Sequence, residues 1–224
     1  EDVRARLSLL SERAEEWAAT VWRWRRRDVP YRSDLVDGWA EKFLYEALVG
    51  AHPLPVERAS VVLAKAVREA KLATSWLDPD PDYEAAVDAF VRGCIEDDAF
   101  RAELAAFVEP MVLPGRLASI ALVVLRTASP GVGDLYQGTE VWDDSLVDPD
   151  NRRPVDFARR RALLEELDRL APPDAPVHDA ALDLADDRGI AKLHVVRASL
   201  AARRRFPDAF GAAGTYLPLP AEGP

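Results

Sequence analysis

The chain has 224 residues, 49% of them hydrophobic and 30% charged, and its 39 acidic and 29 basic residues give a net charge of −10. This composition excludes a disordered chain, and the acidic balance argues against nucleic-acid binding, which needs clustered lysine and arginine. One cysteine, Cys94, excludes an internal disulfide. No apolar run approaches the roughly 20 residues of a membrane span. We therefore expect a cytoplasmic globular protein without membrane contact.

Helical periodicity dominates the first half of the chain. Between Asp2 and Arg27 apolar residues recur every three or four positions, with Ser11 predicted to cap a second helix and Pro30 to end the run. Asp80 before Pro81 is a capping residue followed by proline at the first helical position. Further helices are predicted over residues 35–49, 57–72, 81–93 and 98–108, the last one stopping at Pro110.

The second half adds helices and two short strands. Residues 115–128 form a nearly continuous apolar stretch without aromatic side chains, which favours a buried helix. Residues 132–136 and 215–219 are predicted strands. Helices are predicted over 156–170 and 190–206, on either side of a break at Pro172, Pro173 and Pro176. The predicted fold is mainly α.

Several kinds of chemistry are missing from the sequence. His52, His178 and His194 have no second ligand three or four positions away, so neither a metal site nor a cofactor is predicted. The string that begins at Asp78 starts like a calcium loop and then has Tyr83 where glycine is required. The arginines at 23 and 25–27 fall where a helix is expected to end, a position that favours cations.

One polar loop stands apart from the helices. An apolar stretch ends at Tyr136, and residues 137–154 then carry five carboxylates, Trp142 and two arginines. Carboxylates beside aromatic rings suit a carbohydrate site, because sugars offer hydroxyls for hydrogen bonds and apolar faces for stacking. Taken alone, the pattern is better explained as a solvated acidic loop, since polar residues collect in loops.

A family resemblance changes that interpretation. The sequence Pro130-Gly-Val-Gly-Asp-Leu-Tyr-Gln-Gly-Thr-Glu140 resembles the last-strand segment of α-amylase superfamily barrels, where an apolar strand runs into a Tyr-x-Gly-x-Glu turn. Its continuation from Trp142 to Asp156 resembles the maltooligosyltrehalose synthases. One departure is Gly133, where that family usually has proline. Residues 1–6, 45–51, 70–79 and 192–220 are similar to the same family.

The resemblance implies a division of the chain into four parts. Residues 1–30 would be the barrel helix after the seventh strand, and 31–114 a helical insertion. Residues 115–206 would be the last β/α unit of an eightfold β/α (TIM) barrel, with 137–154 as its substrate-side loop. Residues 207–224 would lead into a C-terminal β domain.

The resemblance also implies an activity. Such a synthase is an isomerase that converts the reducing-end α-1,4 linkage of a maltooligosaccharide into an α,α-1,1 trehalose linkage by a retaining double displacement. The family's catalytic carboxylates lie on earlier strands, so the chain alone is expected to be inactive, with the maltooligosaccharide and the rest of the parent enzyme as partners. The residues expected to bind or position substrate are Tyr136, Gln137, Glu140, Trp142, Asp150, Arg152 and Arg153.

Alternatives remain open at this stage. The acidic loop is compatible with another glucan hydrolase or transglycosidase of the same superfamily. The helical content and the missing catalytic set are compatible with a non-catalytic helical binding module. Each candidate loop residue is equally well explained as loop scaffold, with Arg152 and Arg153 neutralising neighbouring aspartates. Trp76 is expected in a core rather than on a stacking platform, since large aromatic residues mostly fill cores.

Overall fold

The computed structural model describes residues 1–172, 176–211 and 214–220. Pro173, part of the predicted break, and residues 212–213 and 221–224, parts of the predicted approach to a β domain, lie outside the described residues. Packing divides the chain into two compact units. The first comprises Glu1–Gly115 and Asp144–Pro154, and the second comprises Arg116–Asp143 and Val155–Pro224. The four-part division implied by the resemblance stays a prediction.

The first unit is built from helices at the predicted places. They are α1 (Asp2–Ser8), α2 (Ala14–Arg27), α3 (Gly38–Gly50), α4 (Val56–Ala70), α5 (Pro81–Glu96) and α6 (Asp98–Ala128), of which α6 continues into the second unit. Ser11 was expected to cap α2 and does not. It lies in a 3-10 turn, its hydroxyl donates to the Ser8 carbonyl at 2.7 Å, and Arg13 precedes the helix instead.

Aspartates cap two of these helices. The carboxylate of Asp37 accepts hydrogen bonds from the amides of Trp39 and Ala40, at the start of α3. Asp80 accepts in the same way from Asp82 and Tyr83, which confirms that this acidic string is a helix start. Each cap satisfies amide groups that the first turn leaves without a helical partner.

An aromatic cluster holds the first unit together. Trp24 of α2 is fully buried, and its ring meets those of Tyr45, Phe100 and Phe107 edge-on, with centroids 5.3 to 5.7 Å apart. Edge-to-face pairs of this kind add about 0.5–1.5 kcal/mol each beyond the burial of their area. The cluster joins α2, α3 and α6, and so explains the apolar stripe of α2.

Helix α6 departs from the sequence prediction in two ways. It runs on through Pro110 and Pro114, where a stop was expected, and buried Phe107 and Met111 on both sides of Pro110 offset the hydrogen bond that proline removes. Its C-terminal half was expected to be buried, yet Leu117 and Leu125 are exposed, because no other part of the described second unit covers them.

Among the described residues, α6 alone is long and apolar enough to cross a membrane, with a mean hydropathy of 1.6 over its most apolar window. The expected absence of such a segment is therefore not met. Length and composition are weak support for a span, because the core helix of a soluble protein passes the same test.

The second unit contains α7 (Phe157–Leu170), α8 (Ile190–Arg205) and the short α9 (Pro207–Phe210), and the first two confirm the predicted helices. The predicted strands over 132–136 and 215–219 are wrong for this structure, since no described residue of the chain forms a strand. A strand exists only where a neighbouring strand accepts and donates its ladder hydrogen bonds. Val132 and Leu219, almost fully exposed, have no such neighbour among the described residues.

A small apolar core stabilises the second unit. It is formed mainly by Val141, Leu163, Leu167, Ile190 and Leu193. Gly189 precedes α8 with a φ of +86°, and a Cβ there would approach the amide nitrogen of Trp142 to 2.7 Å. Only glycine tolerates both the backbone conformation and the close approach.

Candidate functional site

The seven residues expected at the substrate site do not all belong to one unit. Tyr136, Gln137, Glu140 and Trp142 lie in the second unit, and the other three lie in the first. The loop predicted to flank the substrate therefore has two halves with separate supports.

A tight turn carries the first two candidates. The carbonyl of Tyr136 accepts hydrogen bonds from the amide of Thr139 at 3.1 Å and from its hydroxyl at 2.7 Å. Gly138 closes this turn with a φ of +94°. Tyr136 and Gln137 are both exposed, so their side chains are accessible to a ligand. The turn fixes their backbone.

Glu140 is tied to helix α7. Its carboxylate accepts from Arg160 Nε at 3.1 Å and from the amide of Gly138 at 3.4 Å, and Arg160 also bonds the Gly138 carbonyl. The carboxylate thus connects the turn to α7 through a partly buried, charge-assisted contact. This geometry suits a group that positions the turn.

Trp142 is held by hydrogen bonding and by cations. Its indole N–H donates to the carbonyl of Asp186 at 2.9 Å. The guanidinium of Arg116 lies 5.2 Å from the ring centroid, and the ammonium of buried Lys192 lies 5.8 Å from it. Cations at these distances are attracted by the ring quadrupole. The ring is therefore fixed within the second unit.

In the first unit, Asp150 is the anchor of residues 144–154. Its carboxylate is buried and accepts two hydrogen bonds from Arg58, at 2.8 and 2.7 Å, and one from the amide of Leu146 at 2.7 Å. Burial raises the pKa of this carboxyl, but the Arg58 pair and the Leu146 amide outweigh burial, so the pKa lies below its usual value. Asp150 is ionised at neutral pH and fully committed to these partners.

Arg152 and Arg153 pair with the aspartates of the same loop. Arg152 forms an ion pair with Asp148, and Arg153 Nε donates to the Asp150 carbonyl at 2.9 Å. Arg153 also reaches the Ser145 hydroxyl at 2.8 Å. These contacts are those of the scaffold interpretation, in which the arginines neutralise neighbouring carboxylates, although both side chains keep large exposed fractions.

Three basic residues that support the loop were missed in the sequence. Arg58 also donates to the Asp144 carbonyl at 3.0 Å, Lys65 donates to the Asp148 carbonyl at 2.6 Å, and Arg6 pairs with the Asp144 carboxylate at 3.2 Å. For Arg58 a signal existed. It occupies the first turn of α4, where the helix dipole disfavours a cation, and such a placement indicates an acidic partner from elsewhere.

Trp76 corrects another expectation. It is 57% exposed, so the predicted core position is wrong. The residues around it, 75–78, form a turn in which the amide of Ser75 donates to the Asp78 carbonyl at 3.1 Å, and this turn points the indole away from the core. In the described part of the chain, no group of three histidine, cysteine or acidic side chains is arranged to hold a metal ion.

The fold is similar to one part of several solved proteins that share one name. A solved maltooligosyltrehalose synthase matches 99% of this chain with a TM-score of 0.84 and 31% sequence identity. The synthase of Arthrobacter ramosus matches 93% of the chain with a TM-score of 0.75 and 36% identity. The matched part amounts to 30% and 26% of those two chains.

Sequence comparison leads to the same proteins. A putative maltooligosyltrehalose synthase of Mycobacterium tuberculosis is 33% identical over 231 residues, which cover the whole of this chain. The chain spans about a quarter (26%) of that relative's length. No family model matches. The resemblance indicated by the sequence is therefore confirmed: over its full length, this chain is similar to one part of the maltooligosyltrehalose synthases.

Proposed function

We propose that this chain is part of an enzyme that converts the reducing-end linkage of a maltooligosaccharide into a trehalose linkage, and that this enzyme works in the cytoplasm. The observation that carries the proposal is similarity over 93–100% of the chain, at 31–36% identity, to proteins named as such synthases. Residues 1–30 would be a barrel helix, and the helices of residues 31–114 would form the insertion. Residues 115–206 would supply the last β/α unit of a barrel, and 207–224 would lead into a β domain.

The proposed chemistry is a double displacement at the anomeric carbon. A carboxylate bonds to that carbon while a carboxylic acid protonates the departing glucose oxygen, and the two groups are roughly 5 Å apart in retaining enzymes. The released glucose then attacks through its anomeric hydroxyl, whose proton returns to the acid/base group, and the covalent bond to the enzyme breaks. Both carboxyl groups would come from sequence outside these 224 residues, so the chain alone would be inactive.

The residues of this chain would orient the substrate and exclude water. Tyr136 and Gln137 are accessible and stand on a fixed turn, so we assign them contact with sugar. Glu140 and Asp150 are committed to arginine partners, so we assign them the positioning of the turn and of residues 144–154. Trp142 and Arg153 would support those two halves, and Arg152, whose side chain is 72% exposed, would contact substrate hydroxyls.

Segment exchange tests this function. The matching quarter of the Arthrobacter ramosus synthase is replaced by residues 1–224, and the chimera is incubated with maltopentaose. We expect the number of reducing ends to fall without release of free glucose, as a non-reducing product with a trehalose end accumulates. The separate chain is expected to give no turnover at any concentration.

Three variants of the chimera sharpen the test. Tyr136→Phe is expected to raise KM several-fold with little change in kcat, because it removes one hydroxyl contact to bound sugar. Asp150→Asn is expected to lower thermal stability as well as activity. Leu35→Ala, at an exposed position between α2 and α3, is a control expected to behave like the parent chimera. A folded chimera that only hydrolyses maltopentaose would contradict the proposal.

A further inference from the structure

A cleft in the first unit has the make-up of a ligand site and is not used in the proposed function above. It has a volume of about 510 Å³ and lies between one side of α4, Trp76 and residues 148–149. This volume falls within the range of small-molecule sites. Its walls include Val61, Ala64, Lys65, Arg68, Trp76 and Asp148.

The aromatic wall is exposed but firmly supported. The guanidinium of Arg68 lies 4.8 Å from the centroid of the Trp76 ring, which leaves 57% of this residue accessible. Arg68 in turn donates two hydrogen bonds to Glu84, at 2.8 and 2.6 Å, and Thr74 donates a third at 2.7 Å. The Arg68 hydrogen bond holds the pKa of Glu84 at about 2, so this support stays charged at neutral pH.

The polar wall carries balanced charge. Two cations, Lys65 and Arg68, line the cleft with two anions, Glu69 and Asp148. Lys65 donates to the Asp148 carbonyl at 2.6 Å and lies 3.5 Å from the Glu69 carboxylate, so its charge is already compensated. Such a cleft has no excess charge to attract a phosphate. It offers donors and acceptors to a neutral ligand.

A supported indole ring beside paired ionic groups matches one ligand chemistry. A pyranose presents an apolar face of C–H groups to an aromatic ring and a rim of hydroxyls that both donate and accept hydrogen bonds. Burying the exposed indole against such a face would remove apolar surface from water, which is favourable. Neither an anion nor a purely apolar group would use both walls.

We propose that the cleft bounded by Trp76, Lys65, Arg68 and Asp148 binds a short stretch of α-linked glucan. One pyranose stacks on the indole of Trp76, and its hydroxyls bond to Lys65, Glu69 and the Asp148 carboxylate. That the ligand is an α-glucan rests on the proposed function. That it is a neutral sugar rests on the cleft itself.

The test is a titration of the ¹⁵N-labelled chain with maltopentaose, followed at the indole N–H resonances. The Trp76 signal, assigned from its absence in Trp76→Phe, is expected to shift saturably with sugar. Trp76→Ala is expected to weaken binding at least about tenfold, measured by calorimetry, because it removes the stacking surface. Trp76→Phe retains a ring and is expected to weaken binding by less than Trp76→Ala.

Trp22 provides a matched control. It is likewise 57% exposed, it has the guanidinium of Arg25 5.6 Å from its ring, and it stands outside the lining of the cleft. Trp22→Ala is expected to bind maltopentaose as the unmodified chain does. Far-UV circular dichroism and thermal midpoints check that the variants fold. Folding is expected to be unaffected, because both indoles are largely exposed.

Several results of these experiments would overturn the proposed glucan site. Equal weakening by Trp22→Ala and Trp76→Ala, stronger binding of inorganic phosphate than of maltopentaose, or no binding by the folded chain would overturn the proposal. A Trp76 resonance that moves with protein concentration and not with sugar indicates a second copy in the cleft, with the same consequence. Binding at Trp76 together with an inactive chimera would leave this inference standing and the proposed function refuted.

Discussion

The carboxyl group of Asp28 is fully buried in the first unit, between Tyr45 and Cys94. It accepts a hydrogen bond from the Tyr45 hydroxyl at 2.7 Å. Burial outweighs the hydrogen bonds from Tyr45 and Cys94 and raises the pKa of Asp28 from 3.8 to about 6. The folded state therefore binds this proton more tightly than the unfolded state. The stabilisation of the folded state by this bound proton is complete below pH 4 and is lost as the pH rises through 6.

Asp28→Asn is expected to remove this pH dependence. A shift of roughly two pKa units corresponds to about 3 kcal/mol. Between pH 4 and 7.5 the free energy of unfolding of the unmodified protein should therefore fall, relative to that of the variant, by up to this amount. Urea unfolding at both pH values measures the difference. His52 and His194 have lowered pKa values and act in the opposite sense, but they are present in both proteins and cancel. A constant difference between the two proteins would contradict the prediction.

At the scale of elements, residues 144–154 depend on α4 through the pair of Arg58 and Asp150. Arg58→Ala would leave the buried Asp150 carboxylate without its bidentate partner, with only Arg153 Nε 3.4 Å away, and breaking a buried pair costs about 3–5 kcal/mol. We expect a loss near the lower bound, since Arg58 is partly exposed, with faster hydrogen exchange at the Leu146 amide. Arg92→Ala breaks an exposed pair with Asp88 and is the control, expected to cost under about 1 kcal/mol. Equal losses would show that Asp150 is not the anchor.

The sequence predicted most of the helices because their information is local. The cap at Asp80, the apolar stripe of α2 and the glycine and proline residues that end helices all act within a few residues. The cap at Asp37 was missed, since its helix was predicted to begin at residue 35. Pro110 shows where local rules fail, since packing on both sides of it offsets the missing hydrogen bond. The strand predicted at 132–136 fails for the opposite reason, because its local pattern is adequate and its pairing partners are absent from the described residues.

The sequence predicted which residues make up the candidate site, but not which partners their side chains contact. Carboxylates beside aromatic rings singled out its loop, and only the family resemblance favoured a substrate site over a solvated acidic loop. The sequence could not tell that Asp150 faces Arg58 across 92 positions, or that Glu140 faces Arg160, because each pairing depends on tertiary packing. Trp76 was assigned to a core on the general behaviour of large aromatic residues. Its exposure follows from the turn at 75–78, and apolar periodicity contains no information about that turn.

At the scale of the whole molecule, apolar side chains are exposed in the second unit. In the second unit, Leu117, Leu122, Val124 and Leu125 are exposed along α6. Contiguous apolar surface beyond a few hundred Å² marks a contact with another protein surface. Under the proposed function, this face of α6 would contact the remainder of the enzyme. The net charge of −10 counters association of the separate chain, since like-charged molecules repel.

The separate chain is therefore expected to bind a hydrophobic fluorescent dye while its helices remain folded. Leu125→Glu should reduce the dye signal markedly, because it places a charge within the α6 face. Leu72→Glu is the matched control: Leu72 is equally exposed, at 65%, but belongs to the first unit and not to this face. Its effect should be small. In the chimera, Leu125→Glu should instead lower the thermal midpoint, since the same face would then be buried. A chain without dye binding, or equal effects of the two variants, would refute the assignment of this face.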